Sequence, residues 1–145
     1  MIKTFIVLND WMDERLSKSW LSGLACDLLY THWAANGYVA VDKSYKCYWK
    51  NYNDLCWPEL NEDNPLKGYE PIDVHCWLTF GQHLSTTWGY VKKAYLELPD
   101  TSEDDDVWIF GFDTNHYWDN ASEWTIEKVR EETEYLAKQM EQFLK

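Results

Sequence analysis

The apolar positions near the C-terminus recur with the spacing of a helix. From Thr125 to Leu144 they recur every three or four residues, which is typical of an amphipathic helix with one buried face. Thr125 can cap this helix, and Glu127 in its first turn suits the helix dipole. The stripe consists of Ile126, Val129, Thr133, Leu136, Met140 and Phe143. We therefore expect a long C-terminal amphipathic helix.

Other apolar segments are short and rich in β-branched and aromatic residues, which favours strands. The clearest is 107–112 (VWIFGF), which follows the acidic turn 101–106 and is expected to be buried. Residues 72–81 alternate between apolar and polar, which predicts a strand with its apolar side facing inward. Further strands are predicted over residues 3–8, 38–41 and 90–98.

The remaining segments predict helices and one long loop. Helices are expected over 11–21 and 24–35, the second ending at Asn36-Gly37, because glycine suits a left-handed helix end. Residues 44–68 show no clean period and predict an ordered loop pinned by its own aromatic side chains, with one helical turn at most. Strands and helices fall into separate groups. This predicts one α+β domain over 1–145, with a mainly antiparallel sheet and helices packed on one face.

Length and composition bound the class of protein. A chain of 145 residues with 10 Trp and 10 Tyr can bury a core built largely of aromatic rings. No apolar run reaches the roughly 18 residues of a membrane-spanning helix, and no signal-peptide pattern is present. We therefore expect a cytoplasmic protein that has no membrane partner. The four Cys lack the CxxC spacing of zinc sites and are expected to be reduced packing residues.

The charge is strongly negative and unevenly distributed. The formal net charge is −12, which argues against direct binding of nucleic acid. Residues 100–145 carry 13 Asp/Glu and 4 Lys/Arg, so −9 of this charge lies there. Such a surface can steer a basic partner or simply keep the protein soluble, and the sequence leaves both open. The candidate binding carboxylates are Glu103, Asp104, Asp105, Asp106, Glu127, Glu131 and Glu134.

Four side chains around the predicted buried strand could bind a metal ion or act as acids and bases: His75, Asp113, His116 and Asp119. The i, i+3 spacings of the last three let them face the same way on a helical turn, and His75 would join them if the two strands are neighbours. The four could hold zinc or a harder divalent ion and activate a water, or act in metal-free acid/base catalysis. Alternatively, Asp113, His116 and Asp119 could form a hydrogen-bonded buckle that locks the loop. We expect the buckle and no cofactor. No nucleophile motif or phosphate-binding loop is present. His32 and His83 belong to no recognisable group of catalytic or metal-binding residues.

Three motifs resemble those of a family of small, mostly uncharacterised phage and prophage proteins. The family pattern reads G-Y-V-x-V, then I-x-V-H-G-G-L-T-F, then W-x-x-G-F-D-x-x-H-x-x-D. In this chain the motifs occupy residues 37–41, 72–80 and 108–119. The resemblance covers residues 37–144 and leaves 1–36 outside it. Where the pattern has Gly-Gly, this chain has Cys76 and Trp77.

The resemblance implies a genomic context, namely a dispensable phage gene, a class that includes inhibitors of bacterial defence. Together with the acidity, it leads to the hypothesis of an anti-CRISPR-like inhibitor that binds a host nucleic-acid-handling protein such as a CRISPR effector. Carboxylates would imitate phosphates, and exposed Trp or Tyr of residues 44–57 would act as anchors. The alternatives are a metal-dependent hydrolase that uses the His/Asp cluster and a non-catalytic phage accessory or scaffold protein. The oligomeric state stays open, with a homodimer among the options.

Overall fold

A computed structural model describes residues 1–8, 35–114 and 124–145 of the chain. Within these ranges, four strands form one antiparallel sheet in the order β1-β2-β4-β3. The strands are β1 (Ile2–Leu8), β2 (Ala35–Val41), β3 (Phe80–His83) and β4 (Trp108–Phe112). The α+β class and the antiparallel sheet are confirmed.

Three α-helices and one 3₁₀ helix accompany the sheet in the described ranges. They are α1 (Tyr52–Cys56), α2 (Gly89–Leu96) and α3 (Ile126–Phe143), with the 3₁₀ helix at Leu84–Thr86. None of the helices in this part of the chain has the length and apolar character needed to cross a lipid bilayer.

Strand β4 lies inside the sheet, between β2 and β3. Phe110 pairs with Val39 of β2 on one side and with Gly81 of β3 on the other. Residues 109–112 are buried, because both faces of the sheet are covered at this position. The prediction of a buried strand that follows an acidic surface turn is confirmed.

Helix α3 covers one face of the sheet, against β1 and β2. Its buried side chains include Val129, Thr133, Leu136 and Met140, which belong to the predicted stripe. Thr125 is the N-cap, and its Oγ1 accepts a hydrogen bond from the Lys128 N–H at 3.1 Å. Removing large apolar side chains from water contributes about 1.5–3 kcal/mol each, so this stripe is a main source of stability.

Helix α2 covers the opposite face, which corrects two predictions. Residues 90–98 were expected to form a strand, and all helices were expected on one face. Tyr95 of α2 is fully buried, and its ring lies 6.0 Å from that of Phe5. Val91, Ala94 and Tyr95 belong to the same core cluster, because their spacing places them on one side of a helix. The aromatic and β-branched composition of this segment had suggested a strand.

Residues 72–79 do not form the predicted strand. Ile72, Val74 and Leu78 are buried as their alternation indicates, but the backbone turns between them. Cys76 and Trp77 have φ values of 49° and 67°, and the Trp77 N–H donates to the Val74 carbonyl at 3.0 Å. Two successive left-handed residues end an extended conformation. Strand β3 therefore begins only at Phe80.

Gly37 does not end a helix, as had been expected, but lies in β2. It pairs with Ile6 of β1 and Phe112 of β4. An added Cβ would lie 2.2 Å from the Thr133 Oγ1, so α3 packs against this backbone where a side chain is missing. Tertiary packing therefore explains why residue 37 is a glycine. The helices predicted over 11–21 and 24–35 lie outside the described residues, apart from Ala35, which begins β2.

The loop of residues 44–68 contains α1 as its single helical turn, as predicted. Of the aromatic side chains expected to pin it, Tyr45 is buried, whereas Trp49 and Trp57 are exposed, and a buried polar side chain also holds the loop. Asn64 is 5% exposed, and its side-chain amide donates to the carbonyls of Asp54 and Pro58. Its Oδ1 accepts from the Leu66 N–H. Cys47 and Cys56 are buried thiols, and burial raises the pKa of both, to about 12 for Cys47. They are packing residues, as expected.

Candidate functional site

His75, the first member of the predicted His/Asp cluster, lies on the α3 side of the molecule. Its imidazole is half-buried and packs on the Trp124 indole, with ring centroids 3.9 Å apart. Its backbone N–H donates to the Glu132 carboxylate of α3 at 2.9 Å. The turn that follows brings the Cys76 Sγ to 3.9 Å from His75 Nδ1. Local packing against α3 thus fixes this imidazole.

Asp113 lies at the end of β4, as predicted, and its charge acts on Tyr38 of the α2 face. Burial raises the pKa of Tyr38, and the Asp113 carboxylate adds a smaller effect in the same direction. The next residue, Thr114, is buried and donates from Oγ1 to the Ala35 carbonyl at 2.9 Å. The strand end is therefore tied to the beginning of β2.

The other two members of the cluster, His116 and Asp119, lie outside the described residues. The four-residue site therefore stays a prediction. Within residues 1–8, 35–114 and 124–145, no group of three or more His, Cys, Asp or Glu side chains is arranged to hold a metal ion.

The carboxylates of the acidic turn are held in different ways. Asp105 accepts hydrogen bonds from the Ser102 N–H at 3.0 Å and from the Tyr95 hydroxyl at 2.7 Å, and these bonds lower its pKa. Glu103 and Asp104 are exposed, and Glu103 lies 3.9 Å from the Lys92 Nζ of α2. Asp105 thus braces the fold, whereas Glu103 and Asp104 face solvent.

The α3 carboxylates named from the sequence lie elsewhere. Glu127, Glu131 and Glu134 are exposed along α3, and Glu134 accepts a hydrogen bond from the Thr4 hydroxyl at 2.7 Å. The acidic turn precedes Trp108, which pairs with Val41, whereas Thr133 of α3 packs against Gly37, near the other end of β2. The candidate carboxylates therefore form two separate groups.

His83, which fitted no pattern in the sequence, is the centre of a polar network. Its Nε2 lies 3.0 Å from Asp106 Oδ1, and its Nδ1 lies 2.7 Å from Ser85 Oγ. The Tyr48 hydroxyl also donates to Asp106. The hydrogen bond from Tyr48, and next that from His83, lower the pKa of the Asp106 carboxyl. Sequence patterns could not reveal this network, because Tyr48 and Asp106 are 58 positions apart.

The Ser85–His83–Asp106 order has the hydrogen bonds of a nucleophile, a base and an orienting carboxylate. The backbone of Ser85, however, indicates a structural role for this arrangement. The Ser85 N–H donates to His83 Nδ1 at 3.1 Å, so His83 is the side-chain N-cap of the 3₁₀ helix. With Nδ1 as acceptor, the neutral ring carries its proton on Nε2 and donates to Asp106. The base nitrogen is thus already engaged by the backbone, and the network acts as a structural tie.

Exposed tryptophans form a second feature of the surface. Trp49 is 60% exposed, and its ring packs against those of His83 and Trp108. Trp57 and Trp77 are 42% and 51% exposed, and their ring centroids lie 5.2 Å apart. Trp49 and Trp57 belong to the loop that was expected to carry exposed aromatic anchors, and Trp77 lies on the predicted outward side of its segment.

Comparison with known proteins gives no match. No protein-family model, no curated protein and no solved structure matches this chain.

The described surface combines exposed carboxylates with large exposed aromatic rings. Exposed carboxylates lie in the acidic turn, along α3 and in residues 59–73, and the large exposed rings include Trp49, Trp57, Trp77 and Trp88. Carboxylates attract cationic groups over a distance, and exposed indoles supply contact area at low cost in conformational entropy. This combination suits recognition of a basic partner.

Proposed function

We propose that this protein is a phage-encoded inhibitor that binds a nucleic-acid-handling defence protein of the host. It would act in the manner of an anti-CRISPR protein, in the host cytoplasm. It would occupy a basic surface that otherwise receives nucleic acid, with carboxylates in place of phosphates. The observation that carries the proposal is the excess of carboxylates in residues 100–145, which hold −9 of the net charge of −12.

The acidic turn supports this proposal because its charges are fixed in place. Hydrogen bonds hold the pKa of Asp105 and of Asp106 below the ordinary value of 3.8, which favours the ionised form of both carboxyls. The same bonds fix their orientation against Tyr95 and His83. Glu103 and Asp104 next to them extend the negative charge into solvent. Preorganised charges lose less conformational entropy on binding than flexible ones.

The test is affinity capture from host lysate, followed by neutralisation of selected carboxylates. Immobilised protein should recover a nucleic-acid-binding protein at moderate salt, and the free protein should block that partner from binding its nucleic acid. A variant with Glu103→Gln, Asp104→Asn and Glu131→Gln should lose capture, since its association is less strongly steered. Asp105 and Asp106 are left intact because they brace Tyr95 and His83.

The matched control has the single exchange Asp100→Asn, at an exposed residue with φ 58°, a conformation that asparagine tolerates well. Capture by this control should equal that of the wild type. Recovery of no nucleic-acid-binding protein would refute the proposal. Equal capture by the triple variant would also refute it, since the carboxylates would then not carry the interaction.

A further inference from the structure

Trp57 and Trp77 form an exposed pair of indoles that the fold brings together from two loops. Trp57 is the C-cap residue of α1, and Trp77 lies in the turn before β3. The two loops are joined by the Leu78 N–H, which donates to Cys56 Sγ at 3.4 Å, and by the Ile72 N–H, which donates to the Leu55 carbonyl at 2.9 Å. The pair is thus anchored to buried backbone while its rings stay in contact with solvent.

The backbone at Trp77 holds the indole in an unusual conformation. Its φ is 67°, and the preceding Cys76 has φ 49°, although a bulky side chain in the left-handed region costs roughly 1–3 kcal/mol. Trp77 is 51% exposed, so only about half of the side chain is buried to offset this cost. Such strain tends to persist at functional sites.

The segment that links the two tryptophans is acidic. Residues 58–76 contain five Asp/Glu and one Lys, a net charge of −4. The single lysine, Lys67, forms an ion pair with Glu62 at 2.6 Å. The exposed carboxylates of the segment that links the two tryptophans are Glu59, Glu62, Asp63, Glu70 and Asp73.

Cations of the chain itself are placed on other rings. In the described part of the protein, Lys46, Lys128 and Lys145 lie over the rings of Tyr69, Trp124 and Tyr45, at 5.3, 5.8 and 5.9 Å from their centroids. The faces of Trp57 and Trp77 hold no such internal cation within these residues. A cation from outside is attracted both by the indole faces and by the carboxylates.

We propose that the Trp57–Trp77 pair, with the carboxylates of residues 59–73, is a docking surface for an arginine- or lysine-rich segment of a partner protein. The cationic side chains lie over the two indoles, and their charges pair with the carboxylates. This inference rests on the proposed function, because it states where a basic partner makes contact. This docking surface is distinct from the acidic turn.

The test uses an oligo-arginine peptide as a probe and an oligo-glutamate peptide as its negative counterpart. The indole N–H signals of ¹⁵N-labelled protein should shift for Trp57 and Trp77 on addition of oligo-arginine only. Replacing one indole should weaken binding about fivefold, which corresponds to about 1 kcal/mol for a cation–π contact. The variants are Trp57→Ala and Trp77→Gly, the second chosen because glycine adopts φ 67° without strain.

The matched control is Trp88→Ala, which removes a tryptophan that is 82% exposed and lies outside the pair. Its peptide affinity should equal that of the wild type. Equal weakening in all three variants, or no weakening in Trp57→Ala and Trp77→Gly, would overturn the inference. If a captured host protein binds these two variants normally, the docking surface is wrong while the proposed function stands. If the peptide binds as expected but no nucleic-acid-binding protein is captured, the proposed function fails and the surface stands.

Discussion

Replacing Gly37 with alanine tests the packing of α3 against the sheet. The added Cβ would lie 2.2 Å from Thr133 Oγ1 and 2.4 Å from Phe112 Cε1, well inside van der Waals contact. Neither neighbour can move away easily. Thr133 Oγ1 donates to the Val129 carbonyl at 2.6 Å, and Phe112 is 1% exposed in the core.

The expected loss of stability follows from these contacts. Overpacking a rigid core costs typically about 1–3 kcal/mol, and two blocked neighbours place this site at or above the upper end. Alanine recovers about 0.5–1 kcal/mol relative to glycine in a strand, because it restricts the unfolded chain. We expect a net loss of about 2–3 kcal/mol. At roughly 2–4 °C per kcal/mol for a domain near this size, Tm should fall by about 5–10 °C.

Thermal and urea unfolding of Gly37→Ala and Gly81→Ala provide the measurement. Gly81 also lies in the sheet, but its added Cβ would meet Tyr52 at 3.4 Å and Phe110 at 3.5 Å, which are ordinary contacts. The Gly81→Ala variant should therefore be as stable as the wild type or up to about 1 kcal/mol more stable. If Gly37→Ala unfolds at the wild-type midpoint, the close approach of α3 to β2 is wrong.

Three further predictions concern individual sites. Trp77→Gly should leave the free energy of unfolding within about 1 kcal/mol of the wild type, because relief of the left-handed strain offsets the lost burial of the half-exposed indole and the looser unfolded chain. Trp57→Ala, at φ −132°, relieves no such strain and should be less stable than the wild type. Asp105 has a lowered pKa in the folded protein, so its contribution is complete above 3.8 and is lost as the pH falls through the folded value. Asp105→Asn should reduce this acid dependence in urea titrations from pH 5 downward, and an unchanged slope would contradict the assigned hydrogen bonds. Elemental analysis of purified protein should find substoichiometric zinc and other divalent metals; a stoichiometric metal that His116→Ala removes would instead favour the hydrolase hypothesis.

The sequence alone determined the elements whose patterns depend on local physics. The spacing of Val129, Leu136 and Met140 indicated α3 because a helix repeats every 3.6 residues, and Thr125 is a cap because its side chain reaches the next turn. β4 was evident because a short apolar run after an acidic turn can be buried on both faces. The excess of carboxylates could likewise be counted from the sequence, since charge is a property of composition.

Tertiary structure alone decided the features that depend on distant residues. Tyr95 is in a helix because Phe5 and Ile109 provide an apolar surface for one face of α2, which outweighs local strand propensity. Gly37 is a packing glycine because Thr133, nearly a hundred positions later, occupies the space of its side chain. The Tyr48–Asp106–His83 network and the Trp57–Trp77 pair combine residues from separate loops. No local pattern encodes such pairs, because the fold brings their members together only after the sheet has set the position of each loop.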